Sequence, residues 1–245
     1  MNDLLTREQN DTFVTRGADI SIYTLEIINK MVEKIHYSCY NVVKVTKGGA
    51  FMYKDCRTEQ SARRQRDLEK GLLVAMKQQR FDDISVSDLC DGIGVPRKSF
   101  YRYFSGKEGA LYALLDHTLM EFEPFMMGTE SGSMRSMQRD LEMFFSFWLD
   151  QRDLLDALAR SNLSGMLIER SVVYALSDDV LPSRFLPNDS KKIQRQITKF
   201  GVYGLMSMVL TWHSEGFSDE PKTMARIATR ILSQPLFPGA DNSLR

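Results

Sequence analysis

Residues 84–115 read ISVSDLCDGIGVPRKSFYRYFSGKEGALYALL. Ser85-Val86-Ser87-Asp88 has the form of a capping box, with Ser85 as N-cap and Asp88 three residues on. A short helix follows it, with Val86, Leu89 and Ile93 inward. Gly92 and Gly94 stop that helix, because glycine tolerates positive φ at a helix end. Pro96 then suits the start of a second helix, where its missing N–H is not needed. Ser105-Gly106-Lys107-Glu108 has capping-box form again and opens a longer helix carrying Leu111, Leu115, Leu119 and Phe122. Two helices of about eight residues joined by Gly-Ile-Gly-Val match a helix-turn-helix, whose second helix enters the major groove of DNA.

The residues of that second helix suit the task. On a helical wheel Phe100 and Phe104 are one turn apart and face a small core with Phe81, Ile84 and Leu89. Lys98, Ser99 and Arg102 point the other way, and Arg97 near the N-terminus also reaches out. Tyr101 and Tyr103 flank the polar face, where phenol hydroxyls donate to phosphates.

Upstream, Leu68, Leu72, Ala75 and Met76 fall on one stripe of a preceding helix that starts near Ser61. Downstream, residues 125–135 mark a loop or frayed helix start. Leu141, Phe144, Phe145, Trp148 and Leu149 then give a long helix an apolar face. Two further helices run from Leu154 to Leu163 and from Met166 to Leu176. Pro182, Pro187 and Asn188 break the pattern. Ser190 caps a long helix to about Ser214, with Ile193, Ile197, Phe200, Gly204, Leu205, Met208 and Trp212 as its apolar and small positions. Gly216 and Pro221 precede a last helix with Met224, Ile227, Ala228, Ile231 and Leu232. At the other end, residues 20–35 are periodic like a helix. Residues 40–54, β-branched and aromatic on both sides of Lys47-Gly48-Gly49, carry a hairpin signal.

The run at 84–115 resembles the DNA-binding signature of TetR/AcrR-type bacterial transcriptional regulators. The features shared are the hydroxyl cap Ser85, the turn Gly94-Val95, the stretch Ser99-Phe100-Tyr101-Arg102-Tyr103-Phe104, and Lys107-Glu108 at the next helix start. The stretch FGVYGLMSMVLTWHSEGF (200–217) is similar to that family's penultimate helix, which builds a dimer bundle with the last one. The resemblance implies an all-α fold. Residues 61–108 form an N-terminal three-helix, helix-turn-helix DNA-binding domain. A C-terminal helical bundle for dimerisation and ligand sensing covers 109–245. Residues 1–60 are an N-terminal extension, with a helix and a β-hairpin, for which the family has no counterpart.

Carried over by position, Ser85 and Ser87 meet phosphates at the helix N-terminus. Arg97, Lys98, Ser99, Tyr101 and Tyr103 lie along the groove. Lys107 pins a phosphate, and Arg63 and Arg64 act as an N-terminal arm. The resemblance also implies a homodimer, in which Gly201, Gly204 and Ser207 allow close helix approach and Phe200, Met208 and Ile227 supply apolar contact. It implies a ligand-responsive repressor on a palindromic operator.

Composition is compatible with this. The 245 residues are 43% hydrophobic with a formal net charge of zero, enough for a packed core. The charge is uneven. Residues 61–107 carry 10 basic and 6 acidic residues, while 108–245 carry 14 basic and 18 acidic. A local anionic partner fits that asymmetry. No stretch approaches the roughly 20 apolar residues of a membrane span, and the polar N-terminus lacks a secretory pattern. Cys39, Cys56 and Cys90 are odd in number and widely spaced, which favours a reducing cytoplasm over a disulfide scaffold. His36, Cys39 and Cys56 lack a fourth ligand, so no metal or other cofactor is expected. No catalytic set occurs: G-x-S-x-G, P-loop and H-E-x-x-H motifs are absent. Met143, Phe144, Phe147, Trp148, Met166, Met208 and Trp212 are soft and aromatic, and suit a small apolar effector inside the bundle. The alternative function is a protein-interaction adaptor on the same fold, with DNA binding secondary.

Overall fold

The computed structural model describes residues 52–122, 134–176 and 190–233. The expected helix at 20–35, the tip of the expected hairpin, the loop at 125–135 up to Ser133 and the break around Pro182 and Pro187 lie outside these residues. Among the described residues the secondary structure is helical, with one isolated antiparallel bridge, Tyr53 to Phe104. The far end of the expected hairpin thus pairs with residues about 50 positions away in sequence.

Helix α1 spans Glu59–Gln78. Thr58 caps it, accepting the Ser61 amide through its hydroxyl at 3.3 Å. Leu68, Leu72 and Met76, each one turn from the next, are buried. A 3-10 turn at Phe81–Asp83 leads into α2, Val86–Ile93. Ser85 caps α2, and its Oγ accepts the Asp88 amide at 3.1 Å while donating to the Asp88 carboxylate at 2.6 Å. Gly94 ends α2 with φ 74° and ψ 34°, a left-handed conformation that a Cβ would strain. Helix α3 is short, Arg97–Tyr101. The periodicity continues to Phe104, but the backbone leaves the helix after Tyr101 because Tyr103–Ser105 pairs with Met52–Lys54. Lys54 N–H donates to Tyr103 O at 2.7 Å, and Ser105 N–H to Met52 O at 3.0 Å.

Helix α4, Lys107–Glu121, is largely buried: Ala110, Leu111, Ala113, Leu114, Leu115 and Leu119 are each under a tenth exposed. A helix buried around most of its circumference belongs at the centre of a bundle, and α4 packs on α1 and on α7 (Ser164–Leu176). The expected Ser105 capping box does not form. Gly106 is the N-cap without a side-chain bond, and Ser105 Oγ donates instead to Met52 O at 3.0 Å. Helices α5 (Met134–Asp150), α6 (Arg152–Arg160), α8 (Lys191–Ser214) and α9 (Pro221–Ser233) complete the bundle. Helix α5 packs on α9, α7 on α8, and α6 on α1.

The junction of α1 with α6 is held by reciprocal arginine bonds. Arg80 donates to Arg160 O at 2.8 Å, and Arg160 donates to Lys77 O at 2.7 Å. Both carbonyls are at helix ends, where backbone acceptors lack intrahelical partners. Ser161 Oγ accepts the Phe81 amide at 3.0 Å. The helix-turn-helix is thereby fixed to the bundle at the 3-10 turn.

Helix α8 buries a stripe of mixed polarity. Its buried face is Gln194, Thr198, Val202, Leu205, Met206, Val209 and Trp212. Ile193 and Phe200 point outward, at 45% and 69% exposure.

Candidate nucleic-acid interface

Helix α3 presents two unlike faces. Phe100 is fully buried and its ring lies tilted against Phe104, 5.0 Å between centres; Phe104 is 2% exposed. Phe81, Ile84 and Leu89 complete the core beneath them. This apolar floor fixes the rotation of α3 about its axis, since turning it would expose two phenylalanines. The opposite face carries Arg97, Lys98 and Arg102, all exposed, with Ser99 half-buried between them. None of the three cations enters an ion pair among the described residues. Tyr101 is 57% exposed and braces edge-on against Phe100 at 5.6 Å. Three unpaired cations beside an exposed phenol can meet phosphates and base edges without breaking any internal bond.

The other sequence-predicted residues divide. Ser85 is exposed and Ser87 half-buried at the first turn of α2, where free backbone amides favour an anion. Arg63 and Arg64 are exposed, but they lie in the second turn of α1 rather than on a separate arm. Two residues are placed elsewhere. Tyr103 is 5% exposed, its ring packed at 6.3 Å from Phe104, so it belongs to the core and not to the groove face. Lys107 spends its ammonium on the carbonyls of Phe81, Asp82 and Ile84, at 2.8, 2.9 and 3.0 Å. It also lies 4.8 Å from the centre of the Phe81 ring. An ammonium has three donors, so Lys107 closes the 3-10 turn and has no proton left for a phosphate.

In the bundle, Phe144, Phe147 and Trp148 join Phe122 and Phe145 in one aromatic cluster of edge-to-face and tilted contacts. The Trp148 indole N–H is buried and has no partner among the described residues. Trp212 connects to that cluster through Phe145 at 5.7 Å. Its N–H is used, donating to Asp219 O at 3.1 Å, so this residue closes the turn between α8 and α9. Met143, Met166 and Met208 are half-buried at the margins of the core.

A polar group that sequence reasoning missed lies behind the interface. Asp116, fully buried on α4, accepts two bonds of 2.6 Å from Arg170 of α7 and one of 2.5 Å from the Tyr53 hydroxyl. Beside it, His117 bonds Glu69 of α1 at 2.9 Å and packs edge-on against the Tyr53 ring at 5.9 Å. Gln65, also buried, donates to Lys54 O at 3.1 Å and accepts from the Cys56 thiol at 3.0 Å. Cys56, one of the three weighed as metal ligands, is thus engaged with an amide; His36 and Cys39 lie outside the described residues. Burial pushes the Cys90 thiol above its ordinary range, which keeps it protonated and inert. No helix among the described residues is long and apolar enough to cross a membrane.

Comparison with known proteins follows the same lines. No family model matches the chain. Over 99 residues it is 31% identical to the HTH-type transcriptional regulator EthR of Mycolicibacterium smegmatis, covering 37% of this chain and 46% of the relative. The chain thus matches about half the length of that relative. Among solved structures, the fatty acid degradation regulator FadR from Bacillus halodurans superposes with a TM-score of 0.50 at 12% identity, over 74% of this chain and 98% of that one. The dihydroxyacetone kinase operon activator DhaS gives a TM-score of 0.46 at 15% identity, over 69% and 93%. The chain thus shares an all-helical fold with the FadR structure and, over part of its length, sequence similarity with an HTH-type regulator.

Proposed function

We propose that the protein is a DNA-binding transcriptional regulator that grips a palindromic operator as a homodimer. The observation that carries this is the outward face of α3: Arg97, Lys98 and Arg102, without ion pairs among the described residues, beside exposed Tyr101, on a helix whose other face is locked by Phe100. The partial likeness to EthR, described as an HTH-type transcriptional regulator, supports the same reading. Residues 61–108 then form the DNA-binding domain and 109–245 the dimerisation and sensing domain.

The dimer is assigned to α8 and α9. These helices leave Ile193, Phe200, Tyr203, Ile227 and Ile231 between 41% and 69% exposed. A second copy covering them removes that apolar surface from water. Two half-sites about 34–36 Å apart are then read together. An effector seated in the bundle near Phe144, Phe147 and Trp148 accepts a hydrogen bond from the Trp148 indole and shifts the spacing of the two recognition helices. Release from the operator, and hence repression in the free state, follows from that shift. The setting is the cytoplasm, where DNA is accessible.

The test is fluorescence anisotropy with a labelled operator duplex over a range of salt. Arg97→Ala and Lys98→Ala each cost about 1–3 kcal/mol and relax the preference at particular base pairs. Unaltered affinity in both variants removes the assignment of α3 as the reading helix.

A further inference from the structure

The short stretch ahead of α1 makes contacts that neither capping nor dimer formation uses. Met52–Lys54 lies antiparallel to Tyr103–Ser105, the segment that ends the recognition helix, and is held by the two backbone bonds at 2.7 and 3.0 Å. Ser105 Oγ adds a third bond to Met52 O. The stretch passes so close to the first turn of α4 that a Cβ on Gly109 would collide with Met52 O. Only glycine leaves room for it. Between the two backbone bonds Tyr53 turns inward, 6% exposed, and its hydroxyl meets Asp116, which Arg170 holds from α7. Helix α7 is in turn packed on α8, a helix of the assigned dimer face.

The geometry points to Tyr53 as a positioning residue: residues 52–54 clasp the C-terminal end of the recognition helix and anchor it, through Asp116 and Arg170, to the bundle. This deepens the DNA-binding reading and rests on it. The segment 103–105 is non-helical, and the Phe100–Phe104 floor fixes rotation of α3 but not its slide along its own axis. Pairing with the clasp fixes that second coordinate. Burial, together with the neighbouring Asp116 carboxylate, pushes the Tyr53 phenol above its ordinary range, so the hydroxyl stays a donor. Asp116 keeps both Arg170 bonds when the tyrosine hydroxyl is removed, so Tyr53→Phe does not strand a buried charge. Gly109→Ala acts separately, by displacing Met52 while leaving Tyr53, Asp116 and α3 chemically intact.

Both variants are made in the full chain and followed by hydrogen exchange and by binding to an operator duplex and a random-sequence duplex. Loss of one such bond is expected to speed exchange across residues 100–106 by about 3- to 10-fold, while residues 141–149 stay unaltered as a control. The ratio of operator to random-duplex affinity is expected to fall by a similar factor of about 3 to 10, with the salt slope unaltered, because no phosphate contact is removed. Unaltered exchange over 100–106 in both variants overturns the clasp. So does an equal rise across the whole chain, which is what a merely structural role gives, or an unaltered affinity ratio with local exchange raised. Failure of the unaltered chain to prefer any duplex overturns instead the DNA-binding reading on which the clasp depends.

Discussion

Lys107 and Tyr103 separate what a residue's type suggests from what its neighbours make of it. Both fall where the family resemblance puts a phosphate contact or a groove residue, and both are turned inward. For Lys107 the reason is local. Arg80–Ile84 doubles back in a 3-10 turn whose carbonyls at Phe81, Asp82 and Ile84 converge on one point, and a cation at the start of α4 satisfies all three. Lys107→Met is therefore expected to lower stability by about 1–3 kcal/mol, the range for bonds to a charged donor, while leaving the salt slope of DNA binding as it was. Thermal melting and a salt titration check this. A slope reduced by about one unit at unaltered stability returns Lys107 to the phosphate backbone. Arg97, Lys98 and Tyr101 behave as the wheel predicts, because residues 97–101 are helical and Phe100 fixes which side is in.

At the scale of the element, the boundaries legible in sequence are those set by groups within four residues. Ser85 with Asp88, Gly94 with its positive φ, and Ser190 accepting the Ile193 amide all carry their partners nearby. Ser105 shows the converse. Its sequence neighbours spell a capping box, yet its hydroxyl is taken by Met52, 53 residues away. No local rule contains that partner, and the end of α3 at Tyr101 is hidden from sequence for the same reason. On α8 the buried stripe is partly polar, with Gln194 and Thr198 inside, while Phe200, expected from the resemblance as a dimer contact, stands in solvent. That inversion fits the dimer proposed above, in which a second copy covers the face. Gly204 lies on this helix with open space around the position of a Cβ. Gly204→Glu is therefore tolerated within one chain, and replacing a mid-helix glycine stabilises the helix by up to about 1 kcal/mol. In sedimentation at micromolar concentration the variant is expected to be monomeric with unaltered helicity. A variant that stays dimeric moves the interface off this part of α8.

The whole molecule is legible as an order of helices, and less so as a mechanism. Nine described helices follow the sequence of caps and breaks, and the central position of α4 follows from the alanines and leucines buried around most of its circumference. What the order of helices does not contain is how the reading head is tied to the rest. The arginine exchange between Lys77, Arg80 and Arg160 fixes one side of the helix-turn-helix to α6. The Tyr53–Asp116–Arg170 chain ties the other side to α7. The helix-turn-helix is thus tied to the bundle from two sides. In the dimer proposed above, those ties would couple the distance between two recognition helices to the packing around Trp148. The central claim is that two copies of α3 read DNA together. Selection from a pool of random duplexes with the purified full chain tests it most directly. The account predicts enrichment of one sequence with two-fold symmetry, its half-sites centred about one helical turn apart or a multiple of it. Recovery of the pool without any enriched sequence, at a salt concentration where the protein still binds, contradicts it.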